Sequence, residues 1–541
     1  MWILGISRHH NGAACLLHDG KIIFYLEEER LSRIKHDGFC VKTLEKIKEF
    51  TNKLDYVALS GYDPLDRNFE WMNFSAYGLL LIKQGLINSE DQIIDLTNEH
   101  HLCHAACGFY NSGFDSAVTV IIDGAGSAYE LENGYGRETS TIISAAYPDT
   151  FKVEHKNVVS KNSSTRSNQY NVMHTLDIGK AYQTIAVLQG FDIYDCGKTM
   201  GLASYGQYDP NIPSMFIDGI CNMDFFNHDR TVNVEKYPYV DQDDFQVQAN
   251  MAWAIQESTQ QIALDLIKSA VANTGNKNVV FTGGYALNCT ANYFIRKNLD
   301  KDIDLYIEPI SHDGGTAIGA AKLIYHNKSK NSSKHPLKTL FLGPLHNNVT
   351  INLKNNEKII NVNYKELVKI LREPNIIAVY WGGSEAGPRA LGHRSIVFDP
   401  TVVDGKDRVN FVKRREHFRP FAASVLVEKV HEWFDLAGMK DSPFMMYAVD
   451  ALPGVAEKVP SVIHVDNTCR IQTVDHPTDG HFYELIKEFY QQTKIPMLFN
   501  TSFNLAGEPL VETIDDALKT VRTAGIKYLW LPNAAKLVVL S

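Results

Sequence analysis

Residues Trp2 to Leu26 read WILGISRHHNGAACLLHDGKIIFYL, and the punctuation of this stretch decides the fold. Trp2 to Ser7 is an apolar run, His9-His10-Asn11-Gly12 a polar turn, Ala13 to Leu17 a second run, His18-Asp19-Gly20 another turn, and Lys21 to Leu26 a third run. Short apolar runs bounded by Gly, Asn and Asp predict a strand meander with a polar loop at its head. The pattern starts again at Ser116. Val118 to Ile122 is a buried-type strand, Asp123-Gly124-Ala125-Gly126 a tight loop, and strand-like stretches continue through Tyr129 and from Thr139 to Ile143. Two such units predict an internal duplication.

Outward from these units, Met251 to Ala272 carries apolar residues at helical spacing. Asn278 to Phe281 with Gly283-Gly284 and a helix from Ala286 to Arg296 reads as strand, turn and helix aimed at a ligand. So does Leu305 to Ile307, leading through His312-Asp313-Gly314-Gly315 to a helix from Thr316 to Tyr325. The fold class is α/β, with two similar lobes and a cleft between them. The polar stretches Asn327 to His335 and Asn347 to Asn356 place a domain boundary near 330 to 350, giving domains 1–340 and 341–541. The second domain opens with a strand at Ile376 to Trp381, contains a cationic stretch from Arg408 to Arg419, and closes with strand and helix patterns at Met497 to Phe499, Ile514 to Ala524 and Tyr528 to Leu531. Lys152 to Gln169, rich in Lys, Asn and Ser, is expected to be a mobile, solvated loop.

Composition sets outer limits. At 541 residues the chain is too long for one core, and 44% hydrophobic with 21% charged residues is ordinary for a globular protein. No stretch approaches the roughly 20 uncharged apolar residues that span a bilayer, and the N-terminus lacks a basic start with a long apolar run, so no membrane association and a cytoplasmic location are expected. Eight cysteines without a Cys-x-x-Cys pair indicate neither a disulfide framework nor a thiolate zinc site. A net charge of -10 disfavours a protein whose whole surface grips nucleic acid, though a local basic patch remains allowed.

Two constellations carry chemistry. His100-His101-Leu102-Cys103-His104 puts His100 and His104 four residues apart, on one face if the segment is helical. Such a pair is also a common helix surface or core feature. Asp123 and Asp313, on glycine-flanked loops, complete a hard N/O set suited to Fe(II), Mn(II) or Zn(II). The Asp123 to Gly126 loop also offers clustered backbone amides to phosphate. In the second domain, Gly387 to Ser395 and Val412 to Pro420 concentrate Lys and Arg residues among Gly, Pro, Phe and Ala, as in a packed anion pocket. Asn500-Thr501-Ser502-Phe503-Asn504 supplies hydroxyl and amide groups at a strand exit, and a tight polar turn without ligand reads the same way. Gly197-Lys198-Thr199 lacks the glycine five residues before the lysine that a Walker A loop requires.

Together the motifs resemble the O-carbamoyltransferases of the nodulation and cephamycin type (NodU/CmcH type). The matching stretches run in order: Glu27 to Arg30 with Lys35-His36, His100 to Ala106, Gly197 to Gly206, Gly283 to Cys289, Gly387 to Ser395, Lys413 to Phe421, Arg470 to Val474 and Asn500 to Pro509. The resemblance implies a two-lobed, actin-like (ASKHA) N-terminal domain similar to the metal-dependent threonylcarbamoyl transferase. It implies a smaller YrdC-like C-terminal domain that forms carbamoyl adenylate from carbamoyl phosphate and ATP, with Mg for the nucleotide. Carried over by motif, His100, His104, Asp123 and Asp313 hold a metal, Fe(II) foremost with Mn or Zn as alternatives. Arg389, Lys413, Arg419 and Arg470 grip phosphates, with Ser502 and Asn504 as further contacts. Gly124, Gly126, Gly283, Gly284 and Asn288 line the N-terminal cofactor site. Lys413 and Arg419 are the expected catalytic cations, and His10 is the residue expected to deprotonate the acceptor hydroxyl. Two departures are visible: Asn11 where many relatives carry Asp, and Ala203-Ser204-Tyr205 where Ala-Pro-Tyr is usual.

The acceptor is not written in these motifs. A small-molecule hydroxyl on a natural product or sugar is the leading expectation, and a hydroxymethylated DNA base such as 5-hydroxymethylcytosine is the second. Two lobes with glycine loops also suit a sugar-kinase-like phosphotransferase, which would release ADP. A catalytically silent nucleotide-binding regulator is a third reading. Oligomeric state is unmarked in the sequence.

Overall fold

A computed structural model of the chain describes residues 1–8, 10–61, 74–346 and 350–540; His9 of the first polar turn and the start of the 347–356 stretch lie outside them. The chain divides into two units, Met1–Glu29 with His36–Lys338, and Arg30–Lys35 with Thr339–Ser541. Both are mixed α/β.

In the first unit, β1 (Trp2–Ser7), β2 (Ala13–His18), β3 (Lys21–Glu27), β4 (Tyr56–Ser60) and β5 (Ile93–Asp95) form a sheet of order β3-β2-β1-β4-β5. β1 pairs antiparallel with β2, setting Ser7 opposite Ala13, and β2 pairs antiparallel with β3. β1 with β4, and β4 with β5, run parallel. A second sheet contains β6 (Ser116–Ile122), β7 (Ala128–Leu131), β8 (Gly134–Ala146), β9 (Thr150–Val159), β10 (Asn171–Met173), β13 (Asn278–Thr282) and β14 (Asp304–Ile307). Its order is β10-β9-β8-β6-β13-β14, with β7 on β8, and between β10 and β13 in the chain lies a separate ribbon of β11 (Phe216–Ile217) and β12 (Ile220–Cys221). β6, β8 and β9 are mutually antiparallel neighbours, while β6, β13 and β14 are parallel. Each sheet thus has three antiparallel strands continued by two parallel ones on the far side of the first. This is the duplicated topology of an actin-like fold.

Helices bury the sheets. The unit's main helices are α1 (His100–Ser112), α2 (Ile178–Leu188), α3 (Phe245–Thr274) and α4 (Thr316–Ser329). α1 packs on β6 and β13, α4 packs on β1, β2 and β4, and α1 and α4 pack on each other. A side chain on Gly319 would collide with the Cys103 carbonyl, so glycine is what lets the two helix backbones meet. β6, SAVTVII, is buried from Ala117 to Ile122, as a strand covered on both faces must be.

Two expectations change. Lys152 to Val159 is not loop but most of β9, paired with β8 from Thr150–Ala146 to Val159–Arg137. Backbone pairing rather than apolar alternation makes it a strand, since much of it is exposed. The single helix expected from Ala286 to Arg296 is instead a 3-10 turn, Gly284–Leu287, followed by a helix, Cys289–Asn298. Asn288 breaks the two by accepting a bond from the Ala291 amide as helix cap.

The second unit is built on a ten-stranded sheet of order β15-β24-β23-β16-β17-β22-β18-β21-β20-β19. Its strands are β15 (Lys358–Asn361), β16 (Ile377–Tyr380), β17 (Arg394–Phe398), β18 (Ala422–Leu426), β19 (Phe434–Asp435), β20 (Ala448–Ala451), β21 (Thr468–Val474), β22 (Met497–Ser502), β23 (Tyr528–Leu531) and β24 (Lys536–Val539). The helices α5 (Gly405–Lys413), α6 (Gly480–Thr493) and α7 (Ile514–Ala524) accompany it. β16 alternates: Ile377 and Val379 join the core that holds Phe482, Leu485 and Phe489 of α6, whereas Ala378 and Tyr380 join the core that holds Ile514, Leu518 and Val521 of α7. The sheet therefore buries apolar side chains on both faces. No helix among the described residues is long and apolar enough to cross a membrane.

Candidate metal centre and anion pocket

The first turn of α1 delivers His100 and His104 to one face, where their Nε2 atoms stand 3.1 Å apart. Asp123 follows directly on β6, and its Oδ2 lies 3.3 Å from His100 Nε2. Asp313 opens the short turn before α4, with Oδ1 3.6 Å from His104 Nε2 and 3.8 Å from His100 Nε2. All four are buried, and one ligand atom from each lies within 4.8 Å of the others. Strands and helices from both halves of the duplication thus converge on one point.

The donor set fits a divalent cation. Two imidazole nitrogens face each other at hydrogen-bond distance, and only one can carry the proton such a bond needs. Burial alone would lower the His100 imidazole, but Asp313 and Asp123 outweigh it and hold it up at about 9. Burial and Asp313 push the Asp123 carboxyl up, and against them His100 and His104 leave it well below the usual carboxylate range. Two buried carboxylates draw positive charge to this spot; a divalent ion on two N and two O donors answers that demand.

Around this cluster the chain fixes its geometry. Glu138 on β8 accepts the amides of His101 and Ser127 through Oε1, both at 3.1 Å, and takes Lys156 Nζ (2.6 Å) and the Tyr129 hydroxyl (3.0 Å) on Oε2. A carboxylate at the N-terminus of α1 satisfies amides that helical geometry leaves open. Burial raises Glu138, but His101 and Lys156 bring it down to about 2. Gly284 donates its amide to Asp123 Oδ1 at 3.3 Å. Gly283 has φ +90°, and a side chain there would run into the Ile122 carbonyl, so the turn after β13 approaches the end of β6 only as glycine. Gly126 is held backbone to backbone by Glu138 at 2.8 Å. Asn288 exchanges bonds with Gln256 of α3 and caps its helix.

His10 stands at the same place. Its Nδ1 is 3.5 Å from Asp313 Oδ2, and its ring stacks on Tyr194 at 4.4 Å between centroids. His36 lies 4.9 Å from Tyr194, and its Nδ1 is 3.4 Å from Asn11 Nδ2. A partly exposed imidazole beside a carboxylate is in the position of a proton acceptor. Sequence reasoning missed Glu138, Lys156 and Tyr194, which lie in no motif; they are found only through the pairing of β8 with β9 and the fold of the 191–196 turn.

In the second unit the cationic residues gather at the ends of β21 and β22. Lys413, buried at the end of α5, donates Nζ to the Ser502 carbonyl, to Asn504 O (2.8 Å) and to Asn504 Oδ1 (3.1 Å). Burial, Arg415 and Arg419 push its ammonium well below the ordinary lysine range. Those three donors brace the Ser502–Asn504 turn, and Ser502 Oγ donates to Asn504 Oδ1 at 2.6 Å. Arg419 is partly exposed, 3.6 Å from Glu416. Arg415 lies over Phe421 at 4.1 Å and donates to Asn410 Oδ1 and the Pro420 carbonyl. Arg470 sits on β21 opposite Ala422 and Ala448, and with Arg419 it bears on Arg415. Arg389 belongs to a loop knotted by Glu385, whose Oε1 accepts the amides of Leu391, His393 and Arg394. Asn500 and Gln472 donate to Ala390 and Leu391 carbonyls, tying that loop to β22 and β21. Neighbouring cationic groups with few acids between them suit an anion, which makes this cluster the candidate anion site.

Both halves of the chain match known proteins. Residues 67–322 match the family model described as Carbamoyltransferase N-terminus, and residues 368–536 match Carbamoyltransferase C-terminus. The nodulation protein NolO of Bradyrhizobium diazoefficiens is 30% identical over 79% of this chain and 76% of its own length. The nodulation protein NolNO of Sinorhizobium fredii is 28% identical over 96% of this chain and 77% of its own. An uncharacterised Synechocystis protein is 29% identical over 98% of this chain and 96% of its own. With both family halves matched in order around these two sites, the chain belongs to the carbamoyltransferase family and is a carbamoyl-transferring enzyme.

Proposed function

We propose that the enzyme is an O-carbamoyltransferase that works in two steps. In the second unit, water hydrolyses carbamoyl phosphate to carbamate and phosphate, and the carbamate oxygen then displaces pyrophosphate from the α-phosphorus of Mg-bound ATP, forming carbamoyl adenylate. Arg389, Arg419 and Arg470 bind the phosphates, and Lys413 holds Ser502 and Asn504 in place beside them. In the first unit, an acceptor hydroxyl attacks the carbonyl carbon while His10, oriented by Asp313, receives its proton. His100, His104, Asp123 and Asp313 would hold Fe(II), or Mn or Zn in its stead; such an ion supplies charge stabilisation to a ligated oxygen. The observation that carries this reading is the convergence of these four donors with His10 at 3.5 Å from Asp313.

The acceptor we favour is a small-molecule hydroxyl. The net charge of -10 supports it over DNA, where a 5-hydroxymethylcytosine hydroxymethyl group would be the target. The test is incubation of Fe(II)-loaded protein with carbamoyl phosphate, Mg-ATP and hydroxyl acceptors, including sugars, nucleosides and hydroxymethylated DNA. AMP and pyrophosphate with an acceptor heavier by one carbamoyl unit are expected. ADP and a phosphorylated acceptor would overturn the reading in favour of a sugar-kinase-like phosphotransferase.

A further inference from the structure

Lys180 belongs to no motif and has no part in the scheme above. It stands in the first turn of α2, whose cap Asp177 accepts the Ile178 amide at 2.7 Å and the hydroxyls of Thr139 and Ser140 at 2.6 and 2.8 Å. The next residue, Gly179, is pressed against the Asp123 carbonyl so closely that a side chain there would overlap it. The start of α2 is therefore in backbone contact with the loop that carries the Asp123 carboxylate. A Cβ on Gly124 would lie 3.3 Å from Lys180 Nζ and 3.2 Å from Gln183 Nε2, so both side-chain nitrogens lie over the face of that glycine. Nζ donates to Gln183 Oε1 at 2.8 Å, and among the described residues no carboxylate lies within ion-pair distance of it.

A partly buried ammonium with no carboxylate at ion-pair distance is costly unless something else meets it. Burial and the nearby Arg230 lower Lys180 to about 8, while Asp123 and Asp313 pull the other way. It is still mostly charged at neutral pH. A divalent ion would cancel Asp123 and Asp313, leaving Lys180 and Arg230 as excess positive charge at the rim. That balance suits an anion which gains charge during reaction.

We propose that Lys180 is a catalytic residue that binds the phosphate of the acyl donor above Gly124 and stabilises it as it leaves. The inference rests on the transfer step proposed above. In that step the acceptor oxygen bonds to the carbonyl carbon, and the bond from that carbon to the adenylate phosphate oxygen breaks. The electron pair stays on phosphate, giving AMP as a dianion, and the acceptor proton passes to His10. Phosphate gains one negative charge, and Lys180 supplies a charge-assisted donor where that charge appears.

The test uses Co(II)-loaded full-length protein with AMP as probe, read by Co(II)-dependent broadening of the AMP phosphorus resonance. AMP bound beside the metal is broadened, and an Arg470→Ala background removes the contribution of nucleotide held by the proposed site of the second unit. Wild-type protein is expected to broaden the signal, Lys180→Met to weaken AMP binding at this site at least about ten-fold, and Lys180→Arg to retain most of it. Co(II) absorption bands unchanged in Lys180→Met would show the metal site intact. Broadening by Lys180→Met equal to wild type overturns the assignment and leaves the two-step reading standing. Absence of broadening in the wild type overturns both.

Discussion

His104 offers a single ring nitrogen to the cluster, and its removal tests the metal reading directly. Among the described residues its Nε2 contacts only the other members of the site, so His104→Ala deletes one of four donors. Loss of even an outer partner costs about 10–100-fold in metal affinity, so the variant is expected to lose at least that, measured by Co(II) titration at a temperature where it remains folded, its fully buried ring leaving a cavity that lowers the melting temperature. For His10 the expectation is kinetic. His10→Ala should slow transfer from added carbamoyl adenylate by about 10²–10⁴-fold without changing ATP-dependent pyrophosphate release. Glu138→Gln keeps the shape of the side chain but weakens its bonds to Lys156 and to the α1 amides. A roughly ten-fold or greater loss of Co(II) affinity is expected, and unchanged affinity would make Glu138 a fold residue alone. At this scale the sequence is informative where chemistry and spacing coincide, as for His100, His104, Asp123 and Asp313; His10 follows only from the family resemblance, and the structure brings all five together. Lys180, Tyr194 and Glu138 were silent because a single Lys, Tyr or Glu is overwhelmingly an ordinary surface or strand residue until its neighbours are known.

Elements explain which parts of the pattern were legible. β1, β6 and β13 are largely apolar runs because successive residues are buried on both faces, and such runs declare themselves. β9 did not, because its Lys, Glu, His and Asn residues face solvent while its backbone pairs with β8. The break at Asn288 was equally hidden, since a cap inside a helical pattern shows only in its bond to Ala291. The contact of α1 with α4 gives a sharp stability test: Gly319→Val would force apart two helices that meet at backbone distance, at a cost of about 1–3 kcal/mol or more, visible as a lower thermal midpoint. α6 gives a test in pH. Its cap Asp479 accepts the Phe482 amide, and burial raises its carboxyl to about 7. A carboxyl raised on folding binds more protons in the native state, so its contribution to stability falls as pH rises from about 4 to 7 and is level above that. Asp479→Asn keeps the cap and removes the titration. The variant should lose that part of the decline in denaturation midpoint between pH 5 and pH 8.

At the scale of the whole molecule, the proposed two-step reaction makes its two chemistries separable by substitution. Arg470→Ala should abolish ATP-dependent pyrophosphate release while leaving Co(II) binding by the first unit unchanged, a pairing of assays that a globally unfolded variant would fail in both parts. The separation does not extend to the chain itself. Arg30–Lys35, early in the sequence, belongs to the second unit. Arg30 donates to the Gly387 carbonyl at 2.7 Å, and Arg33 to the carbonyls of Leu510 and Pro509 at 2.6 and 2.9 Å. These carbonyls sit on the loops next to Arg389 and Asn504. During vectorial synthesis the segment leaves the ribosome with its neighbours and waits for partners hundreds of codons downstream. A gene split at the boundary between residues 338 and 339 would produce a C-terminal polypeptide lacking its own two arginine clamps, so that polypeptide is expected to be less stable alone than within the full chain.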